Sequence, residues 1–275
     1  MSCKICNGNV EIFSRARLLG TYDVAFYRCN WCGFICSEEP YWLEEAYSSV
    51  ITGSDIGLVR RNFRLAEITR VLLTFFFDTK GNYLDYAGGY GLFVRLMRDC
   101  GFDFKWYDRY CTNLFAGGCA ADLDTCRNYD IVTAFELFEH LVDPVGGLDE
   151  LLKHSKNILF TTDLLPEPAP RPEEWWYFGL EHGQHVSFYT RKSLRLLAES
   201  KGLNFYTNGA TVHLITEKKL PAALFFLLVR HKTASLVAPF LAKKTLLEDD
   251  FRATAGGELS NGVRKKSHPD KSLAE

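Results

Sequence analysis

Two short cysteine pairs, Cys3-x-x-Cys6 and Cys29-x-x-Cys32, open this chain. Each pair can turn two thiolates toward one metal ion, and four sulfurs together close a tetrahedral zinc site. Free or disulfide-bonded cysteines are the alternative. The gap between the pairs is slightly longer than in most zinc ribbons. It has room for a hairpin with strands at Val10 to Phe13 and Asp23 to Tyr27. Gly8 after the first pair and Gly33 after the second supply the permissive backbone of a knuckle turn. A closed site of four thiolates is structural and leaves no position open to substrate. The expectation is a small zinc-binding module over residues 1–40, with the chemistry placed elsewhere.

The 275-residue chain has material for a sizeable core, with 47% hydrophobic residues. A formal net charge of −2 argues against a broad basic surface, so no nucleic-acid partner is expected. Five cysteines remain after the knuckles: Cys36, Cys100, Cys111, Cys119 and Cys126. An odd remainder of thiols fits a reducing cytoplasm better than a disulfide framework. The N-terminus lacks the apolar run of a signal peptide. Leu220 to Val229 is apolar but ends at Arg230, well short of the roughly 20 residues a bilayer span needs. A buried or dimer-forming helix is expected there. An interfacial membrane helix through 220–241 is the alternative.

Residues 41–80 read as a helical connector, with apolar spacing through Leu58, Phe63, Leu65, Ile68, Val71 and Leu72. From 81 to 216 short strands alternate with helices, which predicts an α/β domain with a doubly wound, Rossmann-like parallel sheet. The strands fall at Tyr83 to Tyr86, Phe104 to Tyr107, Tyr129 to Phe135 and Asn157 to Thr162. Thr190 is the expected N-cap of an amphipathic helix reaching Lys201. Leu203 to Tyr206 and Ala210 to Ile215 read as further strands. C-terminal helices are expected over 217–252, and a disordered tail over 253–275, which is polar and rich in Gly, Ser and Lys.

The first strand of this domain runs into Asp85-Tyr86-Ala87-Gly88-Gly89-Tyr90-Gly91 and then a helix. Such a turn offers backbone N–H groups to an anionic ligand. Asp108 ends the next strand, where a doubly wound sheet holds a ribose by its hydroxyls. NAD and S-adenosylmethionine both fit to this point. The dinucleotide fingerprint G-x-G-x-x-G fails, because Val94 stands where its third glycine belongs. A nucleotide-dependent oxidoreductase is therefore disfavoured. Asp85, just before the turn, can engage the ammonium of an amino-acid moiety.

These residues resemble motif I of the class I S-adenosylmethionine-dependent methyltransferases. Tyr129 to His140, followed by Asp143-Pro144, resembles the fourth-strand signature of the same superfamily. His185-Val186-Ser187-Phe188-Tyr189-Thr190, with Leu194 and Gly202, resembles a later segment. The resemblance implies cofactor contacts from Asp85, Gly89, Gly91 and Asp108, with Ala87 standing where the family has its first glycine. It implies Asp122 for the adenine amino group and Phe135 and Glu136 for the methyl-transfer end. The link between Tyr110 and Asp122 is too short for a full helix plus strand.

Glu139-His140 reads either as a structural helix start or as part of the site. The sharper candidates lie in Glu181-His182-Gly183-Gln184-His185, because imidazoles near neutrality can take a proton. Two histidines alone make a weak case for a metal. The segment is similar to that of zinc-containing sugar-nucleotide C-methyltransferases, whose Tyr-His-Glu-His-Leu-Ser-Tyr-Phe run ends in a basic histidine. By that likeness His185 is the general base. His182, Gly183 and Gln184 depart from the run. Tyr47 reaches the site or packs as a plain aromatic. Trp175, Trp176, Tyr177 and Phe178 form an apolar lid or core. The expected activity is methyl transfer to a small-molecule or sugar-nucleotide-like acceptor, with S-adenosylmethionine and a structural zinc. The rival reading is a non-catalytic zinc-containing binding or scaffold protein on a degenerate methyltransferase fold.

Overall fold

The computed structural model describes residues 2–48, 53, 55–124 and 128–262. A six-stranded sheet runs in the order β5-β4-β6-β7-β10-β9. Its strands are β4 (Tyr83–Tyr86), β5 (Phe104–Tyr107), β6 (Ile131–Ala134), β7 (Asn157–Thr161), β9 (Asn204–Thr207) and β10 (Val212–Thr216). The first four pair in parallel, while β10 is antiparallel to both β7 and β9. Every residue of β6 and β7 is buried. That is why these strands read as unbroken apolar runs rather than as alternation.

Helices cover both faces. On one, α2 (Leu58–Phe76) buries Leu65, Ile68, Thr69 and Leu72, a single stripe at helical spacing. It packs with α3 (Leu92–Asp99), α6 (Ala222–Leu228) and α7 (His231–Val237) around Tyr83, Phe93, Phe104 and Leu214. On the other face, α4 (Pro144–Leu152) and α5 (Arg191–Glu199) cover Leu84, Val132, Ile158 and Ile215. Asp143 caps α4 by accepting from the N–H groups of Val145 and Gly146, with Pro144 at its first position. Thr190 caps α5 in a reciprocal pair with Ser193. The expected cap is therefore found, and the helix ends at Glu199.

The N-terminal strands β1 (Val10–Leu18) and β2 (Tyr22–Cys29) form a longer hairpin than the sequence pattern indicates, followed by β3 (Ile35–Ser37). A fourth strand, β8 (Ser187–Phe188), completes their sheet by pairing with β3. Residues 187–188 come from the segment that carries the candidate histidines, so the cysteine-bearing sheet is built partly from the α/β region. The 41–80 segment is not one helix but α1 (Leu43–Ala46) followed by α2.

One expectation fails elsewhere. Residues 253–262 are not an unstructured tail: α8 (Leu247–Gly262) continues through them. Asp250 pins the start of that helix to Arg95 and Arg98 at 2.6–2.8 Å. Its first turn carries Glu248, Asp249 and Asp250, which suit the positive end of the helix dipole. Residues 263–275 and Cys126 lie outside the described residues. The apolar 220–241 stretch is half buried: Phe225, Leu228, Ala234 and Ala238 face the core, whereas Phe226, Leu227, Leu236 and Phe240 are exposed. Among the described residues no single helix is long and apolar enough to cross a membrane, and α6 with residues 231–241 makes a pair bent by 75°.

Candidate active site

A cavity of about 530 Å³ opens at the carboxyl ends of β4, β5 and β6. This is where an open α/β sheet places its ligands, and the size suits a small molecule. The structure brings together Asp85, Ala87, Gly89, Asp108, Phe135, Glu136, Tyr47, His182 and His185 on its walls. Seven carboxylates and two arginines line it, an excess that favours a cationic ligand.

The turn after β4 is held in left-handed backbone, with φ of 59° at Ala87, 53° at Gly89 and 84° at Gly91. An alanine pays steric energy there that a glycine would not. Gly88 is equally constrained by space: a Cβ on it would sit 2.6 Å from Asp85 Oδ2. Gly91 does not line the cavity; it starts α3 and sits close to Asn113. Asp108 ties the turn to the loop after β5. Its carboxylate accepts from the N–H groups of Gly89 at 2.9 Å, Tyr110 at 2.7 Å and Cys111 at 2.8 Å. Asp85 is buried, takes a hydrogen bond from the Thr133 hydroxyl at 2.6 Å, and is pushed up to about 7 by desolvation.

Asp122 is not part of this wall. It is exposed, accepts from the N–H of Asp124 at 3.0 Å, and lies away from the cavity. The physical reason is the short connection foreseen between Tyr110 and Asp122. Among the described residues no helix or strand forms between β5 and β6, and an isolated bridge from Trp106 to Ala120 stands in for one. Tyr107, Arg109, Tyr110 and Cys111 line the cavity in its place.

Opposite the turn, Glu136 has a φ of 51°, a second strained residue beside the cavity. Its carboxylate accepts from Thr161 Oγ1 at 2.6 Å and faces Arg61 Nε at 3.5 Å. Arg61, on α2, also clasps Asp55 at 2.7 and 3.0 Å. Neither Arg61 nor Asp55 carried a sequence signal, because the pairing is made by packing α2 across the cavity mouth. Tyr47 does reach the site: its hydroxyl lies 3.1 Å from His140 Nδ1 and its ring stacks on Tyr110.

The histidines differ in what they can do. His182 accepts at Nδ1 from the Gln184 N–H at 3.1 Å. Its lone pair is thereby used, and its proton sits on Nε2. His185 has the reverse arrangement: Nδ1 donates to the Tyr177 carbonyl at 2.6 Å, which leaves the Nε2 lone pair available. Burial, reinforced by His140 and His182, holds His185 well below the usual imidazole range. Gly183 has a φ of 66°, and a Cβ there would press on the Trp42 ring at 3.2 Å, so a histidine at that position would be strained in this chain. Gln184 points away, donating to the Ala46 carbonyl at 2.8 Å. Of the aromatic run, Tyr177 and Phe178 are core, while Trp176 is 74% exposed at the cavity edge.

The four cysteine sulfurs of the knuckles converge. Cys3 and Cys32 are 3.6 Å apart, Cys6 and Cys29 3.5 Å. A tetrahedron with zinc–sulfur bonds of about 2.3 Å has edges of about 3.75 Å, so the donor set fits zinc. Backbone N–H groups of Ile5, Trp31 and Cys32 point at these sulfurs from 3.4–3.5 Å. The hydrogen bond from Cys32 pulls Cys3 down to about 5 while the same contact pushes Cys32 up. This cluster reaches the histidine segment directly. Thr190 Oγ1 donates to the Cys32 carbonyl at 2.6 Å, Lys192 Nζ to Trp31 O at 2.6 Å, and Trp42 Nε1 to Gly183 O at 2.8 Å.

The sequence matches the family described as "Methyltransferase domain" over residues 60–208. No curated protein matches the chain. Among solved structures, CalO1, a methyltransferase in calicheamicin biosynthesis in its SAH-bound form, is similar at 15% identity over 66% of this chain and 60% of that one, with a TM-score of 0.41. TnmH is similar at 17% identity over 64% and 61%, with a TM-score of 0.44. The plantazolicin methyltransferase BpumL in complex with SAH is similar at 12% identity over 66% and 92%, with a TM-score of 0.45. The chain thus spans about three-fifths of the first two proteins, at 60% and 61%. At these identities the likeness concerns the fold alone.

Proposed function

The chain belongs to the methyltransferase-domain family, and on that premise we propose that it is an S-adenosylmethionine-dependent methyltransferase acting on a small-molecule, sugar-like acceptor. The observation that carries this reading is one cavity wall that joins the strained glycine turn, Asp108 and Phe135 to Tyr47, Glu136 and His185. The cofactor, when bound, supplies a methyl group on a sulfonium centre.

The residues of this chain bind, align and manage one proton. Asp85, a buried carboxylate pushed up to about 7, is suited to receive the cofactor's ammonium, which would draw it back down. The turn at Ala87 to Gly89 lets the backbone approach closely, and alanine still holds the left-handed conformation. Asp108 keeps lone-pair capacity for ribose hydroxyls beside its three N–H contacts. His185, neutral by burial with its Nε2 lone pair available, activates the acceptor by taking its proton. The knuckle module, bonded to Thr190 and Lys192, holds the segment that carries this histidine.

Isothermal titration of the full chain with S-adenosylmethionine, and with NAD as the control, tests the cofactor. Saturable binding of the first alone is expected. Absence of binding at millimolar concentration sinks the reading, and binding without methyl transfer to any acceptor would favour the scaffold alternative.

A further inference from the structure

Glu139 sits in the short helical turn Phe138–His140 just past β6, with 0% of its surface exposed. Neither of its carboxylate oxygens meets a partner in good hydrogen-bond geometry among the described residues, although the Tyr177 and Thr162 hydroxyls stand near it, and burial pushes the carboxyl up. A buried carboxylate left without a partner is costly, and it is relieved by a proton or by a cation. Two imidazoles stand beside it. Donor atoms of Glu139, His140 and His185 all lie within 4.8 Å of one another. All three residues line the cavity.

Both rings are oriented as ligands are. His140 Nδ1 lies 3.1 Å from the Gln184 carbonyl, and His185 Nδ1 lies 2.6 Å from the Tyr177 carbonyl. A carbonyl facing Nδ1 accepts a hydrogen bond from Nδ1–H, which keeps the ring's proton there and leaves the Nε2 lone pair for a metal. The two rings meet edge to face with centroids 4.9 Å apart, so their nitrogens do not stack out of reach of a shared point. The Tyr47 hydroxyl stands 3.1 Å from the same Nδ1 of His140, so both contacts lie on that nitrogen. His182 is excluded from the set, because its Nδ1 is already engaged by Gln184.

We propose that Glu139, His140 and His185 form a site for one divalent first-row transition ion, zinc or its cobalt surrogate, in the wall of the active-site cavity. Two imidazoles and one carboxylate favour such an ion over magnesium or calcium, which select oxygen donors. Three protein ligands leave a coordination position open toward the cavity, unlike the four cysteines. For the substrate, resting on the methyltransferase reading, this narrows the acceptor to a hydroxyl compound: an alcohol, phenol or enol. Its oxygen would take the open position, its acidity would rise, and its proton would leave to water. With the ion bound, His185 activates the acceptor through the metal; without it, His185 takes the proton itself.

The test is Co²⁺ titration of the full-length protein, followed by elemental analysis and visible absorption. Wild type is expected to bind one ion whose spectrum lacks thiolate-to-metal charge transfer. In Glu139→Gln that ion should bind at least about tenfold more weakly while the unfolding midpoint stays put. His185→Gln should behave alike. Cobalt taken up with a thiolate signature alone, or held equally by wild type and Glu139→Gln, overturns the proposal. If the variants do not fold, the wild-type spectrum still decides it. S-adenosylmethionine titration on the same samples is an independent readout: its failure defeats the proposed function and leaves the ion count standing.

Discussion

Among the described residues two clusters of side chains could hold a metal ion, and they are opposites. The cysteine cluster is closed: four sulfurs face one another, backbone N–H groups support them, and none of the four lines the active-site cavity. The Glu139–His140–His185 cluster is open: its buried carboxylate has no partner in good hydrogen-bond geometry among the described residues, and all three residues line the cavity. A saturated donor set stabilises a fold, whereas an unsatisfied one is kept where a ligand completes it. The contrast is what supports the proposal of scaffolding for the first cluster and chemistry for the second. It is also physically coupled, since the first cluster's knuckle bonds to the α5 cap at Thr190, five residues past His185.

The largest effect expected of any single change is at the closed cluster. Cys29→Ser should cost more than about 4 kcal/mol of stability, as losses of a structural metal do. Thermal unfolding and zinc content measure this. Acceptor binding should fall more than cofactor binding, because the 182–190 segment leans on the knuckles while the β4 turn does not. Equal loss of both would break the division between the two clusters.

At the open cluster the expected damage is to rate rather than to fold. His185→Ala should lower kcat by roughly 10²–10⁴-fold. The dissociation constant for S-adenosylmethionine should stay nearly unchanged. A variant that retains kcat but loses cofactor affinity would place His185 in binding instead.

His213 separates burial from function. It lies in β10, bonded to Thr207 Oγ1 at 2.8 Å and Thr162 O at 2.9 Å, and burial pulls it down to about 4. Its ordinary value is about 6.5, so between these values the unfolded chain binds a proton that the folded chain refuses. Its contribution is whole above about pH 6.5 and drains as pH falls toward 4, by up to roughly 3 kcal/mol. Denaturant midpoints of wild type and His213→Asn, compared at pH 7 and pH 4.5, check this. The variant should lose less on acidification, and an identical loss would mean His213 does not carry it.

The smallest effect is at the turn across the cavity. Ala87→Gly relieves a left-handed alanine and should stabilise the protein by about 1 kcal/mol, with cofactor affinity equal or better. Weaker cofactor binding in that variant would show that the methyl group is a contact rather than a strain.

Much of this was legible in the chain because it is local. The strands β4 and β5, the Thr190 cap and the cysteine spacing depend on a few neighbouring residues, and each was found where the pattern placed it. Local pattern erred where distant parts intervened. Ala253 onward looks like a tail, yet Asp250 meets Arg95 and Arg98 and the helix goes on. Asp122 fitted a motif count, but no regular element forms between β5 and β6 to carry it inward.

By itself the sequence determined the four-sulfur cluster and the glycine turn, because chelation and left-handed backbone are set by spacing over a handful of residues. Only the tertiary structure decided which histidines stand together. It set the distant His140 beside His185 and Glu139, and it gave each ring its own carbonyl or N–H at Nδ1. It also buried Glu139 completely, because desolvation is a property of the packed interior and not of any short stretch of chain.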